Sequence, residues 1–159
     1  MSPGADRRPL AAPIALSALH RRSLYGIAAG LVLSGAGWLV CHFVLAVDPQ
    51  MDGLPHPMEP FWLKLHGAAG MIGLLSIGTV IPAHAWRAWR ARRNHGTGLV
   101  FGAGLSLMAV TGWALYYVGS EAWRPAISAV HWAAGLSLVP ALAWHVTAGR
   151  RLRGGRGLR

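Results

Sequence analysis

The sequence is poor in cysteine and in acidic side chains. Its 159 residues include one cysteine, Cys41, which excludes an intramolecular disulfide and a cysteine-based metal cluster. Five residues are Asp or Glu, and charged residues of both signs make up 13% of the chain. Hydrophobic residues make up 53%, which is too apolar a mixture for an ordinary soluble domain. The composition therefore predicts a membrane protein.

Four apolar stretches are long enough to cross a bilayer, since about 20 apolar residues span its hydrocarbon core. We therefore predict an all-α fold, a four-helix transmembrane bundle, with helices at about 22–47, 60–90, 97–119 and 123–149. These helices form one membrane domain over residues 20–149. A flexible arm over 1–19 precedes the domain, and a basic tail over 150–159 follows it.

The basic residues lie almost entirely on one side of the predicted bundle. Thirteen of the fifteen precede the first helix, connect the second to the third, or follow the fourth. By the positive-inside rule this side is cytoplasmic, so both termini are cytoplasmic. The net charge of +10 then reflects topology and contact with membrane lipid rather than nucleic-acid binding. Arginine outnumbers lysine fourteen to one, a bias typical of high-GC bacterial genes, so we expect the bacterial inner membrane.

Two of the predicted helices carry two histidines each. His66 and His84 lie in the second helix, and His131 and His145 lie in the fourth. A helix turns about 100° per residue, so a spacing of 18 returns to the same face and a spacing of 14 misses it by roughly 40°. Both helices run from the outside inward. Depth therefore pairs His66 with His131 near the outer surface, and His84 with His145 near the inner surface.

Histidines paired at two depths are the ligands that two haem groups require. Ionisable side chains within a bilayer are costly and usually functional. Neutral imidazole is a strong axial ligand of haem iron, and two imidazoles close both axial positions, which favours electron transfer over oxygen binding. Gly70 and Gly135, each one turn beyond an outer histidine, leave room for a flat macrocycle. We therefore expect two haem b groups as cofactors.

The inner pair has an alternative ligand. At about 1.5 Å per residue, the two histidines are roughly 27 Å apart along the second helix and roughly 21 Å apart along the fourth. Helix tilt or a kink at Pro82 can absorb part of the difference. His20, at the cytoplasmic edge of the first helix, is the alternative to His84 opposite His145. His42, near the outer end of the same helix, is a further candidate at the outer site.

Three stretches that bear these histidines are LHRRSLYG around His20, LKLHGAAGM around His66, and AVHWAAGLSLVPALAWH from His131 to His145. Together with the four-helix layout they resemble the small bacterial four-helix di-haem cytochromes b. That family includes cytochrome b561-like proteins and the membrane cytochrome b subunits of hydrogenases and formate dehydrogenases. The resemblance implies a fourth ligand at the start of the first helix, which favours His20 over His84. The chain also resembles uncharacterised bacterial membrane proteins in HRRSLY, PHPMEPFWLKLHGA and GWALYYVGSEAWRP.

The leading hypothesis is an electron-transfer subunit that carries electrons across or within the membrane, between quinol or quinone and a redox-protein partner. The chain shows no catalytic base, nucleophile or nucleotide-binding loop, so we do not expect a self-contained enzyme. Two alternatives stay open. One is a structural or assembly subunit without haem, whose histidines form hydrogen bonds between helices. The other is a metal or proton transporter, although the intramembrane carboxylates that usually share such work are missing.

Overall fold

The computed structural model describes residues 16–45 and 55–154, and the regular elements in these two ranges are all helical. Helix α1 comprises Ala18–Leu39 and continues as a π-helical segment over Val40–Val44. Helix α2 comprises Glu59–Val80, a π-helical segment over Ile81–Ala85, and a final α-helical stretch over Trp86–Arg90. Helix α3 comprises His95–Tyr117, and helix α4 comprises Arg124–Gly154. All four are long and apolar enough to cross a membrane, which confirms the predicted fold class.

The helix ends differ from the predicted ones by small amounts. Helix α1 begins earlier because the Ser17 hydroxyl caps it, accepting a hydrogen bond from the His20 backbone N–H at 3.2 Å. Helix α4 continues to Gly154, so the first half of the predicted tail over 150–159 is helical. The rest of that tail, residues 155–159, and residues 1–15 of the predicted arm over 1–19 lie outside the described residues.

The four helices form two antiparallel hairpins. Between α1 and α2, Ser34 meets His66 while His20 meets Thr79, so residue numbers rise along one helix as they fall along the other. The side-chain pairs between α3 and α4 show the same pattern. Within each hairpin the helices pack far more closely than the two hairpins pack against each other. We call this looser interface between the hairpins the cleft.

Helices α2 and α4 lie diagonally across the bundle and run parallel to each other. Helix α1 packs against α4 as well as against α2. On the other side, a Cβ added to Gly67 of α2 would lie 2.7 Å from the Tyr116 hydroxyl of α3, so α2 and α3 are neighbours. Each diagonal helix thus has α1 and α3 beside it. Side chains of α2 and α4 can therefore meet at the centre of the bundle.

The most deeply buried side chains of the bundle are mostly polar, and many of its large apolar side chains are exposed. Cys41 is the one buried hydrophobic residue among those described. Large apolar side chains point outward, as Leu75 does at 76% exposure. Hydrocarbon solvates such side chains, whereas water does not. This pattern supports a multi-pass membrane protein. The buried polar side chains of the described residues are three hydroxyls and one carboxylate: Ser34, Thr97, Thr111 and Glu59.

The π-helical segment Ile81–Ala85 determines where His84 points. Pro82 has no backbone N–H, and in an α-helix its ring would clash with the carbonyl four residues earlier; a wider turn relieves that clash. Because the wider turn takes up one extra residue, it rotates His84 by about 100° away from the face that the 18-residue spacing predicts, and it shortens the axial distance between His84 and His66 by about 1.5 Å. The axial mismatch between α2 and α4 is reduced accordingly.

Candidate functional site

Two pairs of histidines meet across the cleft, with one ring from α2 and one from α4 in each pair. His66 and His131, the upper pair, have ring centroids 6.1 Å apart and ring planes at 85°. His84 and His145, the lower pair, have ring centroids 6.2 Å apart and ring planes at 88°. All four rings are partly buried. The structure thus brings these four residues together in the combination that depth pairing predicts.

Each ring of the upper pair is bonded to its own hairpin through Nδ1. His66 Nδ1 lies 3.0 Å from Ser34 Oγ and 3.1 Å from the backbone carbonyl oxygen of Leu31, both on α1. His131 Nδ1 lies 2.8 Å from Thr111 Oγ1 on α3. Hydroxyl and carbonyl oxygens on the neighbouring helix therefore fix the orientation of both rings.

A glycine follows the hydroxyl residue in both hairpins. The two steps are Ser34–Gly35 in α1 and Thr111–Gly112 in α3. A Cβ on either glycine would lie 3.3 Å from Cε1 of the histidine bound there, which is closer than ordinary van der Waals contact. A larger residue would push the ring out of place. The two hairpins thus position their histidines with the same local arrangement.

The hydrogen bonds determine which nitrogen of each ring carries the proton. The Leu31 carbonyl can only accept, so His66 Nδ1 donates to it. Thr111 Oγ1 donates its single proton to the Leu107 carbonyl at 2.7 Å, and it therefore accepts from His131 Nδ1. A neutral imidazole with its proton on Nδ1 has a lone pair on Nε2. Nε2 is consequently the nitrogen of both rings that can bind a metal.

His145 of the lower pair is oriented in the same way. Its Nδ1 lies 3.0 Å from Thr97 Oγ1 of α3, and that hydroxyl donates to Asn94 Oδ1 at 2.6 Å. Thr97 therefore accepts from His145 Nδ1, which leaves the lone pair of the neutral ring on Nε2. Asn94 Nδ2 donates to the His145 carbonyl at 3.2 Å and is 3.4 Å from Nδ1. Phe101 stacks on the His145 ring with centroids 5.7 Å apart.

His20, the alternative ligand for the lower site, is bonded within its own hairpin. Its Nε2 lies 3.1 Å from Thr79 Oγ1. Thr79 donates its proton to the Ser76 carbonyl at 2.7 Å, so His20 Nε2 donates to Thr79. The residue that the structure places opposite His145 is His84, whereas the family resemblance favours His20.

His42, the further candidate for the outer site, belongs to a separate cluster at the end of α1. Its ring stacks on Trp38 with centroids 4.6 Å apart. Its Nδ1 lies 3.2 Å from Oε2 of Glu59, a buried carboxylate at the start of α2. The partners of His42 are therefore an indole and a carboxylate.

The donor set of the two pairs fits haem rather than a bare metal ion. Across residues 16–45 and 55–154, no three His, Cys, Asp or Glu side chains come close enough to hold an ion. A porphyrin supplies four nitrogens, so two imidazoles complete the coordination of its iron. With iron about 2 Å from one nitrogen of each ring, and each ring centre roughly 1 Å further, the centroids fall about 6 Å apart. The observed distances are 6.1 and 6.2 Å.

The glycines beside the upper pair differ in the space they leave. A Cβ on Gly70, one turn beyond His66, would meet no atom within 4 Å. A Cβ on Gly135, one turn beyond His131, would lie 3.4 Å from Cε of Met108, a flexible side chain that can move aside. Space for a flat macrocycle is therefore open on the α2 side and closed by one methionine on the α4 side.

Sequence patterns alone do not single out the three hydroxyl residues of this site. Ser34, Thr97 and Thr111 each lie on the helix preceding a histidine helix, at the depth of the histidine that they bind. That depth match is the signal that identifies them. Comparison with protein-family models, with curated proteins and with solved structures finds no match to this chain.

Proposed function

We propose that the protein is a membrane di-haem cytochrome of b type. His66 and His131 hold one haem iron, and His84 and His145 hold the other. The observation that carries the proposal is the meeting of the four imidazoles in two pairs at the centre of the bundle, with ring centroids 6.1 and 6.2 Å apart. In this role the chain carries electrons across or within the bacterial inner membrane, between quinol or quinone and a redox-protein partner.

The positions of the protons in the upper pair support iron between the rings. Both Nδ1 protons are donated to acceptors within their own hairpins, to Leu31 and Thr111. Neither neutral ring then has a proton to donate to the other. Hydrogen bonding within each hairpin explains why each ring is fixed, but it gives no reason for the two rings to meet. A shared metal ion does.

Each residue of the site has a distinct role. Haem, when bound, supplies a reversible one-electron carrier. The four histidines would hold the two haem irons, and the hydroxyls of Ser34, Thr97 and Thr111 accept from Nδ1–H, which orients the rings and raises the basicity of Nε2. The apolar helices around the cleft exclude water. The two histidine levels are roughly 21 Å apart along α4, against about 30 Å for the hydrocarbon core, so electrons cross most of the membrane.

The orientation of the bundle in the membrane follows from the distribution of its basic residues. In the sequence, thirteen of the fifteen basic residues flank the predicted apolar segments on one side: before the first, between the second and third, or after the fourth. The positive-inside rule makes that side cytoplasmic. The lower pair then lies near the cytoplasm and the upper pair near the opposite surface.

The test is an optical spectrum of the purified protein after expression with sufficient haem. We expect a b-type α-band in the reduced-minus-oxidised spectrum and two haems per chain. His131→Ala and His145→Ala should each remove one haem. His84→Ala should remove the same haem as His145→Ala, while His20→Ala, the matched control on the first helix, should keep both.

Other results would favour the other functions. A stable colourless protein would contradict the proposal and support a structural subunit. A bound transition metal without porphyrin would support a transporter. Loss of a haem in His20→Ala but not in His84→Ala would overturn the assignment of the lower ligands.

A further inference from the structure

A groove outside both histidine pairs lies between α1 and α4, near the end of the bundle where the chain begins and ends. Its volume is about 330 Å³. Tyr25 lines it from α1, while Val139, Leu142, Val146 and Arg150 line it from α4. The groove thus combines an apolar wall with one guanidinium.

The wall on α4 is a single helical stripe. Val139, Leu142, Val146 and Arg150 follow one another at spacings of three and four, and Ala143 and Thr147 lie beside them, which keeps all six on one side of the helix. At about 100° per residue, this stripe is centred about a quarter turn around α4 from His131. The groove is therefore distinct from the haem cleft and opens on the surface between two adjacent helices.

The length of the groove matches one leaflet of a bilayer. The eleven residue-to-residue steps from Val139 to Arg150 rise about 16 Å, and half of the hydrocarbon core is about 15 Å. With Arg150 at the level of the lipid headgroups, Val139 lies near the midplane. The exposed guanidinium is then at the depth of phosphate groups, and the apolar stripe is at the depth of acyl chains.

The positive charge near the groove favours a lipid with an anionic headgroup. Arg150 is joined at this end of the bundle by Arg151 on α4 and by Arg21 and Arg22 at the start of α1. The described residues thus place several cations at the end of the bundle where the groove lies. Basic pockets between transmembrane helices on this side bind anionic headgroups.

We propose that the groove is a binding site for an anionic phospholipid. One acyl chain lies along the stripe from Val139 to Val146, and the headgroup phosphate binds the Arg150 guanidinium beside the Tyr25 ring. Arginine suits this role because its planar donor groups match phosphate oxygens. The bound lipid fills the space between α1 and α4, which pack loosely against each other, and so joins the two hairpins.

The test compares Arg150→Gln with Arg151→Gln, which removes the same charge from the next residue of the same helix. Lipid binding is measured by native mass spectrometry of the full chain in detergent with phosphatidylglycerol or phosphatidylcholine. The unchanged protein and Arg151→Gln should bind phosphatidylglycerol in preference to phosphatidylcholine. Arg150→Gln should bind it about tenfold more weakly, as expected for the loss of one charge-assisted hydrogen bond. The mass reports the lipid directly, whatever the haem content.

A second pair of variants tests the apolar wall without changing any charge. Ala143→Leu narrows the groove and should also weaken phosphatidylglycerol binding, while Ala133→Leu, outside the groove on the same helix, should not. Inorganic phosphate alone should neither bind nor raise the temperature of unfolding. The proposal is overturned by equal losses in Arg150→Gln and Arg151→Gln, by equal binding of the two lipids, by normal binding in Ala143→Leu, or by stabilisation with phosphate alone.

Discussion

The hydroxyls of Ser34 and Thr111, which accept hydrogen bonds from the upper pair of histidines, are not equally important for holding those rings. His66 Nδ1 has two acceptors, Ser34 Oγ at 3.0 Å and the Leu31 carbonyl at 3.1 Å. Within the described part of the chain, His131 Nδ1 has one, Thr111 Oγ1 at 2.8 Å. Thr111→Val keeps the shape of the side chain and leaves the His131 N–H without an acceptor. Ser34→Ala leaves the Leu31 carbonyl in place.

The expected losses follow from this difference. Removing the hydrogen-bond partner of a metal-bound histidine lowers metal affinity by about 10- to 100-fold. In free energy this is about 1.4 to 2.8 kcal/mol, within the cost of about 1 to 3 kcal/mol for an unsatisfied buried donor. We therefore expect Thr111→Val to weaken haem binding at the upper site by about 10- to 100-fold. Ser34→Ala should weaken it by less than about tenfold, because one acceptor remains.

The assay is haem transfer to an excess of a haem-scavenging apo-globin, followed through the α-band of the purified protein. The part of the band that is lost in His131→Ala identifies the upper site. Thr111→Ser restores the acceptor and should retain haem as the unchanged protein does. Equal losses in Thr111→Val and Ser34→Ala, or a large loss in Thr111→Ser, would refute the assignment of the Nδ1 protons.

Two further substitutions test the wide turn in α2 and a close contact between α1 and α2. Pro82→Ala removes the cause of the wide turn, so α2 should relax to the α-helical register and His84 should rotate by about 100°. The optical spectrum should then show one haem instead of two. Retention of both haems would contradict this reasoning. Gly37→Ala places a Cβ 2.5 Å from the Trp62 ring and should lower the free energy of unfolding by about 1 to 3 kcal/mol. Thermal unfolding in detergent measures this loss of stability. Gly30→Ala is the control, because a Cβ on Gly30 would meet no atom within 4 Å. Equal shifts of the unfolding temperature in Gly37→Ala and Gly30→Ala would show that the Trp62 contact is unimportant.

The depth of each histidine can be predicted from the sequence, because depth depends only on the position of the residue along the membrane normal. Counting residues from the membrane surface, at about 1.5 Å per residue, places His66 level with His131 when both helices run the same way. The same count left His84 and His20 as alternatives opposite His145. It could not choose between them, because both lie near the same end of the bundle as His145.

Three features of the site depend on rotation about the helix axes, which residue counting does not supply. The hydroxyls of Ser34 and Thr111 reach histidines only because α1 and α3 present these faces to α2 and α4. His84 meets His145 after the π-helical segment adds an extra residue to its turn. His20 instead faces Thr79 within the first hairpin.

Hydrophobic length and helical rise along the membrane normal are enough to predict the four membrane-spanning helices and the levels of their histidines. Only the folded bundle shows that α2 and α4 are diagonal, that their ring centroids lie 6.1 and 6.2 Å apart, and that Nδ1 is the bonded nitrogen of His66, His131 and His145. The physical reason is that the rotation of a helix in lipid is fixed by its packing against its neighbours, at small residues and hydroxyls far apart in the chain.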